Sequence, residues 1–380
     1  MPRTLTRRSM LAAAPLFLAG CAASSHTPAP SESASTVPTS ATPSASTPAW
    51  VMPDEGMRHA GTWMAFGPSV AIWGAELVPV VRKNLADIAN AIVTFEPVTM
   101  LVRPSEQDAA RTLLDPAVRL LPVEIDDLWV RDTGPVFVTN GTTLGGVGFN
   151  FNGWGGKQAH THDALVAAAV IADAKATPLT TTLTLEGGAI EVDGQGTAII
   201  TESCVLNANR NPGWTKPHVE AELGRLLGIR KVIWLPGIAG KDITDGHTDF
   251  YARFVGPGQV VAALDNDPAS FDYAVTRAHL DILKAATDVT GKPLVVTPLV
   301  APRTLREQDP GEDFAAGYIN FYLCNGGVIA PQFGDADADA AARDALAALF
   351  PQRKVVQLNV DGIAAGGGGI HCSTQQQPAL

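Results

Sequence analysis

Ala189-Ile190-Glu191-Val192-Asp193-Gly194-Gln195-Gly196-Thr197-Ala198-Ile199-Ile200 holds two short β-rich runs around an Asp-Gly turn. That pattern predicts a hairpin, because Asp and Gly tolerate the positive φ that tight hairpin turns require. A helical pattern follows at residues 216–227, then one more apolar run at 232–235. Hairpin, helix, strand is therefore a unit, and the chain repeats it. Further hairpins are predicted at 135–138 with 144–149, at 250–255 with 259–263, and at 319–324 with 328–330. Their helix and last strand fall at 163–175 with 179–185, at 268–287 with 294–296, and at 336–350 with 355–358. The fifth unit is split between the chain ends. Residues 370–375 pair with 62–66, and helix 76–92 leads to strand 98–102, with an extra short helical stretch at 105–114. Recurrence every roughly fifty to seventy residues marks a propeller or array. The expectation is an α/β propeller of five like units, closed by the first and last strands so that no sheet edge is left there. An open doubly wound sheet is the runner-up, but it would alternate single strands with helices.

A chemically capable residue stands at the head of each unit. Asp132 precedes the first hairpin and Glu186 the second, His247 and Asp249 open the third, Asn320 lies in the fourth, and Cys372 lies in the closing strand. Equivalent positions of a ring converge on its axis. Carboxylates, an imidazole and a thiol would then share one central pocket. The glycine run at 366–369 lets backbone approach a ligand closely just before Cys372. It is not a phosphate cradle, since no GK[ST] and no following helix accompany it.

The start of the chain reads as targeting rather than fold. Thr6-Arg7-Arg8-Ser9-Met10-Leu11 is a twin-arginine pattern, and the apolar run to Leu18 is too short to span a bilayer. Leu18-Ala19-Gly20-Cys21 reads as a lipobox. Residues 1–21 are thus expected to be a signal peptide with Cys21 lipidated, and the protein to be exported and lipid-anchored to a bacterial membrane, on the cell surface or periplasmic side. Residues 22–49, nearly all Ser, Thr, Pro and Ala, cannot build a core and form a tether. Residues 50–380 are expected to be one catalytic domain.

Formal net charge is −11, and loss of Arg3, Arg7 and Arg8 with the signal would make the rest more acidic still. Such a surface repels nucleic acid and steers small cations inward. After Cys21 only Cys204, Cys324 and Cys372 remain, an odd set that is no disulfide scaffold. Cys204 and Cys324 read as inert core thiols. No CxxC or zinc spacing is present, and His160 and His162 read as surface residues. Metal ligands are therefore expected to be none. The sequence is compatible with a homo-oligomer.

A thiol and a histidine suggest a cysteine peptidase, but that chemistry has no use for several further buried acids. A flat cation with many N–H donors does. A guanidinium fits carboxylates bidentately, and its central carbon is open to a thiolate. In this reading Asp132 and Asp249 clamp the guanidinium, Cys372 attacks, His247 is acid and then base, and Glu186 orients His247. Trp129 is a pocket wall or a core residue. His371, adjacent to Cys372 on a strand, would face away and be structural.

Several segments resemble the agmatine deiminase family, grouped with Porphyromonas-type peptidyl-arginine deiminases. They are residues 126–135 (DDLWVRDTGP), 149–156 (FNFNGWGG), 185–188 (LEGG), 207–212 (NANRNP), 245–249 (DGHTD) and 366–377. The resemblance runs from about Met52 to the end. It implies the pentein fold, Cys372 as nucleophile, His247 as acid and base, contacts from Asp132, Glu186 and Asp249 to a guanidino group, and no organic cofactor. Agmatine is the first expectation for substrate, and peptidyl-arginine or free arginine the alternative. A lipoprotein that binds polyamines without turnover is a reading of another class. The chain departs from the family at Glu55-Gly56, Phe66-Gly67 and Gly369, where Glu-Trp, Trp-Pro and an asparagine are usual. These positions are expected near the rim that meets the substrate tail.

Overall fold

The computed structural model describes residues 49–306, 311 and 313–380. The twin-arginine pattern, Cys21 and residues 22–48 of the tether lie outside them. Five separate sheets are built from the described residues. Strands β1 (His59–Phe66), β2 (Val98–Val102) and β3 (Arg119–Pro122) belong to the first. The second holds β4 (Val136–Thr139), β5 (Leu144–Val147) and β6 (Thr177–Leu179). The third holds β7 (Ile190–Val192), β8 (Thr197–Thr201) and β9 (Lys231–Leu235). The fourth holds β10 (Ala252–Gly256), β11 (Gln259–Leu264) and β12 (Val295–Val300). The fifth holds β13 (Tyr322–Cys324), β14 (Gly327–Gln332) and β15 (Lys354–Asn359). Last in the chain, β16 (Gln375–Pro378) returns to the first sheet and pairs with β1.

One pairing rule governs all five. The first two strands of each three-stranded sheet are antiparallel and the third is parallel to the second. The first sheet obeys it across the termini: β16 is antiparallel to β1, with Gln375 opposite Trp63, and β1 is parallel to β2. Only β3, which no sequence signal announced, is extra. Parallel neighbours need a crossover, and a helix supplies it each time. Lys216–Leu227 shows why the sequence folds so. Pro217 sits in the first turn, where its missing N–H costs nothing, and Gly228 takes the left-handed φ of 70° that ends the helix. Val219, Leu223, Leu226 and Leu227 recur at helical spacing and are buried, each contributing about 1.5–3 kcal/mol relative to exposure.

Three local expectations are corrected. The first helix begins at Val70, six residues early, and is broken at Gly74, whose φ is 72°. Residues 180–185 do not extend β6, which ends at Leu179. Residues 370–373 form turns rather than strand, so Cys372 stands just ahead of β16 and not within it. No helix among the described residues is long and apolar enough to cross a membrane.

Candidate active site

The segment just before each hairpin's first strand carries the side chain singled out above. Asp132 lies in the helical turn Val130–Thr133 ahead of β4. Glu186 is extended before the turn that enters β7. His247 and Asp249 flank the start of the turn Thr248–Phe250 ahead of β10. Asn320 precedes β13 and Cys372 precedes β16. All are buried, Cys372 retaining 6% exposure.

These six side chains meet. His247 Nδ1 is 3.7 Å from Asp132 Oδ2, and its Nε2 is 3.4 Å from Glu186 Oε2. Cys372 Sγ lies 3.5 Å from Asp249 Oδ2 and 3.3 Å from Asn320 Nδ2. Gly188 joins the two groups. A Cβ there would stand 2.7 Å from His247 Nδ1, 2.9 Å from Asp132 Oδ1 and 3.1 Å from Asp249 Oδ2. Only glycine allows that convergence, and its N–H donates to Asp132 Oδ1 at 3.1 Å. Asp249 Oδ1 is buried without a hydrogen-bond partner among the described residues.

Burial and mutual charge set the protonation of the group. Burial raises Cys372, and the charges of Asp249 and Asp132 push it further, well above an ordinary thiol. Burial alone would lower His247. The Asp132 charge, then contacts with Cys204 and Glu186, reverse this and hold the imidazolium well above its usual range. Asp132 is raised by burial and by Asp249 and Glu186, although His247 and the Trp154 indole N–H at 2.9 Å oppose the rise. Burial would also raise Asp249 and Glu186. His371 outweighs it at Asp249, and His247 with Arg210 outweighs it at Glu186, so both are lowered. These directions favour a protonated thiol at Cys372 and an imidazolium at His247.

A cavity of about 600 Å³ lies beside this cluster. Its walls include Trp73, Trp129, Thr244, Phe250, Ile319 and Gly367 but none of the clustered side chains. Phe250 and Ile319 are the chain neighbours of Asp249 and Asn320, so the cavity adjoins the segments that carry the reactive group. Trp129 is a wall of it: the indole packs on Trp73 at 5.8 Å between ring centres, and a Cβ on Gly368 would fall 2.2 Å from it.

Several sequence expectations change here. Arg131, the chain neighbour of Asp132, turns away from it and donates to Gln376 at 2.7 Å and Glu55 at 3.1 Å. Glu186 does not offer its whole charge to a ligand, because Arg210 Nε holds its Oε1 at 2.9 Å. Cys204 is not a remote core thiol, since its Sγ stands 3.6 Å from Glu186 Oε2. His371 does not face away; its Nδ1 is 2.7 Å from Asp249 Oδ2. The strand alternation behind that expectation fails because the segment is a turn. Of the departures, Phe66, Gly67 and Gly369 are not on a rim, as all three are buried, whereas Gly56 is half-buried. Gly67 lies against the Asp127 carbonyl and Gly369 against the Asn320 amide. Sequence reading gave Asn320 no role. Arg210 sat unassigned inside the Asn-Arg-Asn motif, the one signal that pointed to it.

Glu186, Cys204 and His247 present ligand atoms within 4.8 Å of one another, a composition that can hold a metal. Arg210 already occupies Glu186, and burial raises the Cys204 thiol, so the set is charged against a cation.

Residues 51–378 match the Porphyromonas-type peptidyl-arginine deiminase family. A Streptomyces coelicolor protein is 44% identical over 335 residues, spanning 86% of this chain and 98% of its own. The agmatine deiminase of Pseudomonas fluorescens is 38% identical over 352 residues, spanning 86% of this chain and 95% of its own. The solved agmatine deiminase of Enterococcus faecalis superposes with a TM-score of 0.82 at 32% identity, covering 87% of this chain and 96% of that one.

Proposed function

This chain belongs to the Porphyromonas-type peptidyl-arginine deiminase family, and from that membership we propose that it is a hydrolase of agmatine, releasing ammonia and N-carbamoylputrescine. The observation that carries the reading is Asp249, whose Oδ2 lies 3.5 Å from Cys372 Sγ while its buried Oδ1 has no hydrogen-bond partner among the described residues, an acceptor open to an N–H donor on the carboxylate next to the nucleophile. Asp132 and Asp249 hold the guanidinium. Its charge offsets theirs, so the Cys372 proton is released as substrate binds. The thiolate attacks the guanidino carbon, the C–S bond forms, and His247 gives its proton to the departing ammonia as the C–N bond breaks. His247, now neutral, takes a proton from water. That water adds to the amidino thioether, and the C–S bond breaks to return the thiolate. Glu186, held by Arg210, keeps His247 oriented.

The adjoining cavity favours a cationic tail. Among the described residues, Asp127, Asp242, Asp265, Asp267, Asp272 and Asp313 line it against Lys241 and Arg303. Ammonia release from agmatine, free arginine and an arginyl peptide tests the assignment. Agmatine is expected to be fastest. A faster peptide would move the substrate to peptidyl-arginine, and agmatine binding with no ammonia would favour a polyamine-binding lipoprotein.

Two structural readings accompany this one. The shared pairing rule and the β16–β1 pair support a closed five-unit pentein propeller, and an experimental structure whose five sheets share no axis would overturn it. The amino-terminal pattern supports export and a lipid anchor on Cys21. Cys21→Ala is expected to move the protein from the membrane to the soluble fraction; equal membrane retention would refute the anchor.

A further inference from the structure

Asp249 is bonded at one oxygen only. Its Oδ2 receives His371 Nδ1 at 2.7 Å and Asn320 Nδ2 at 3.3 Å, and faces Cys372 Sγ at 3.5 Å, while Oδ1 has no partner among the described residues. The other ring nitrogen of His371, Nε2, is 2.9 Å from Glu55 Oε2. The ring is thus held between two carboxylates, one at each nitrogen. Glu55 is fixed in turn. Arg131 Nη2 lies 3.1 Å from its Oε2, and Arg253 Nη2 and the Leu323 N–H each lie 2.8 Å from its Oε1. Arg253 Nε also donates to Glu191 Oε1 at 3.0 Å. Three carboxylates, two arginines and His371 thus form one buried network ending at the clamp, and none of Glu55, His371, Arg131 or Arg253 is more than 7% exposed.

We propose that Glu55 and His371 are positioning residues, a carboxylate–histidine relay that occupies Asp249 Oδ2 and thereby leaves Oδ1 free and aimed at a substrate N–H. The proposal rests on the guanidinium-clamp reading of Asp249. Its logic is that of a ligand carboxylate oriented from behind: an unconstrained carboxylate could rotate and offer either oxygen to Cys372. Charged groups facing the relay are Asp249, Asp132 and His247 at the clamp and Arg131, Arg253 and Glu191 at the far end.

The test reads the clamp without turnover. 2-Chloroacetamidine carries a planar cation like the guanidinium head, and 2-chloroacetamide is its neutral counterpart. Each alkylates Cys372 with loss of chloride, and the ratio of their rates cancels changes in the thiol itself. Wild type is expected to prefer the amidine. His371→Asn is expected to cut that preference about 10- to 100-fold, the range for a lost hydrogen bond to a charged group. In an Asp249→Asn background it should cut it no further, because the two act through one carboxylate. An unchanged ratio in folded His371→Asn, or full additivity with Asp249→Asn, overturns the relay. Should His371→Asn melt out, Glu55→Gln, which keeps shape and an acceptor oxygen, takes its place with the same expected loss and the same overturning result. Wild type that prefers the amidine yet releases no ammonia would refute the deiminase reading alone. Wild type with no preference overturns the relay whatever the ammonia assay shows.

Discussion

Cys372→Ser is expected to release ammonia from agmatine at least roughly 10⁴-fold more slowly than wild type, with its melting temperature nearly unchanged. The size follows from the role. A nucleophile that forms and breaks the covalent bond acts together with His247, Asp132 and Asp249 as one unit, and a serine hydroxyl there has no base to activate it. The site holds His247 as an imidazolium, which is fitted to give a proton and not to take one from an alcohol. The fold has little reason to respond. The thiol's neighbours, Asn320 and Asp249, accept from or donate to a hydroxyl equally well. Intact mass spectrometry adds a second measurement. Wild type quenched in turnover should carry an amidino adduct that Cys372→Ser lacks. Ammonia release by Cys372→Ser within about tenfold of wild type, far inside the loss typical of a missing nucleophile, would remove Cys372 from the chemistry.

Glu55→Ala is expected to cost about 3–5 kcal/mol of folding stability, the penalty for stripping a partner from buried charges. Arg253 and Arg131 would both lose an ion pair while 0% and 2% exposed, and His371 would lose one of its two acceptors. The effect has a pH signature. Burial alone would raise Glu55, but Arg253, His371 and Arg131 hold it well below the usual carboxylate range. A depressed carboxyl contributes stability above its unfolded value, about 4.3, and loses it as pH falls through the folded value. Urea unfolding should therefore show a constant gap between wild type and variant at neutral pH that narrows only in acid. A gap within about 0.5 kcal/mol, the range of ordinary surface changes, would mean that the network carries no net stability.

The order of elements was legible because it rests on local signals. Turn pairs such as Asp193-Gly194, the Pro217 and Gly228 that bound one crossover helix, and apolar runs of strand length all act within a few residues. The same locality explains the failures. The alternation rule placed His371 away from Cys372 because residues 370–375 looked like strand, and tertiary contacts with Asn320 fold 370–373 into a turn instead, His371 N–H and Cys372 N–H both donating to the Asn320 amide oxygen. Nothing beside Arg131 in the chain told that it would turn from Asp132 toward Glu55. β3 was invisible because two of its four residues are exposed and two only half-buried, and it carries no hairpin turn.

The amino-acid order alone determined which side chains head each repeat and that those repeats alternate hairpin, helix and strand. It also supplied the residue types for guanidinium chemistry. Only the tertiary structure decided how they touch: that Arg210 holds Glu186, that Asn320 joins Cys372 to Asp249, and that Glu55 reaches His371 across 316 residues. The physical reason is reach. Propensity and periodicity act over a turn of helix or a pair of strands, whereas a buried charge finds its partner wherever packing brings one, and no local pattern records that distance.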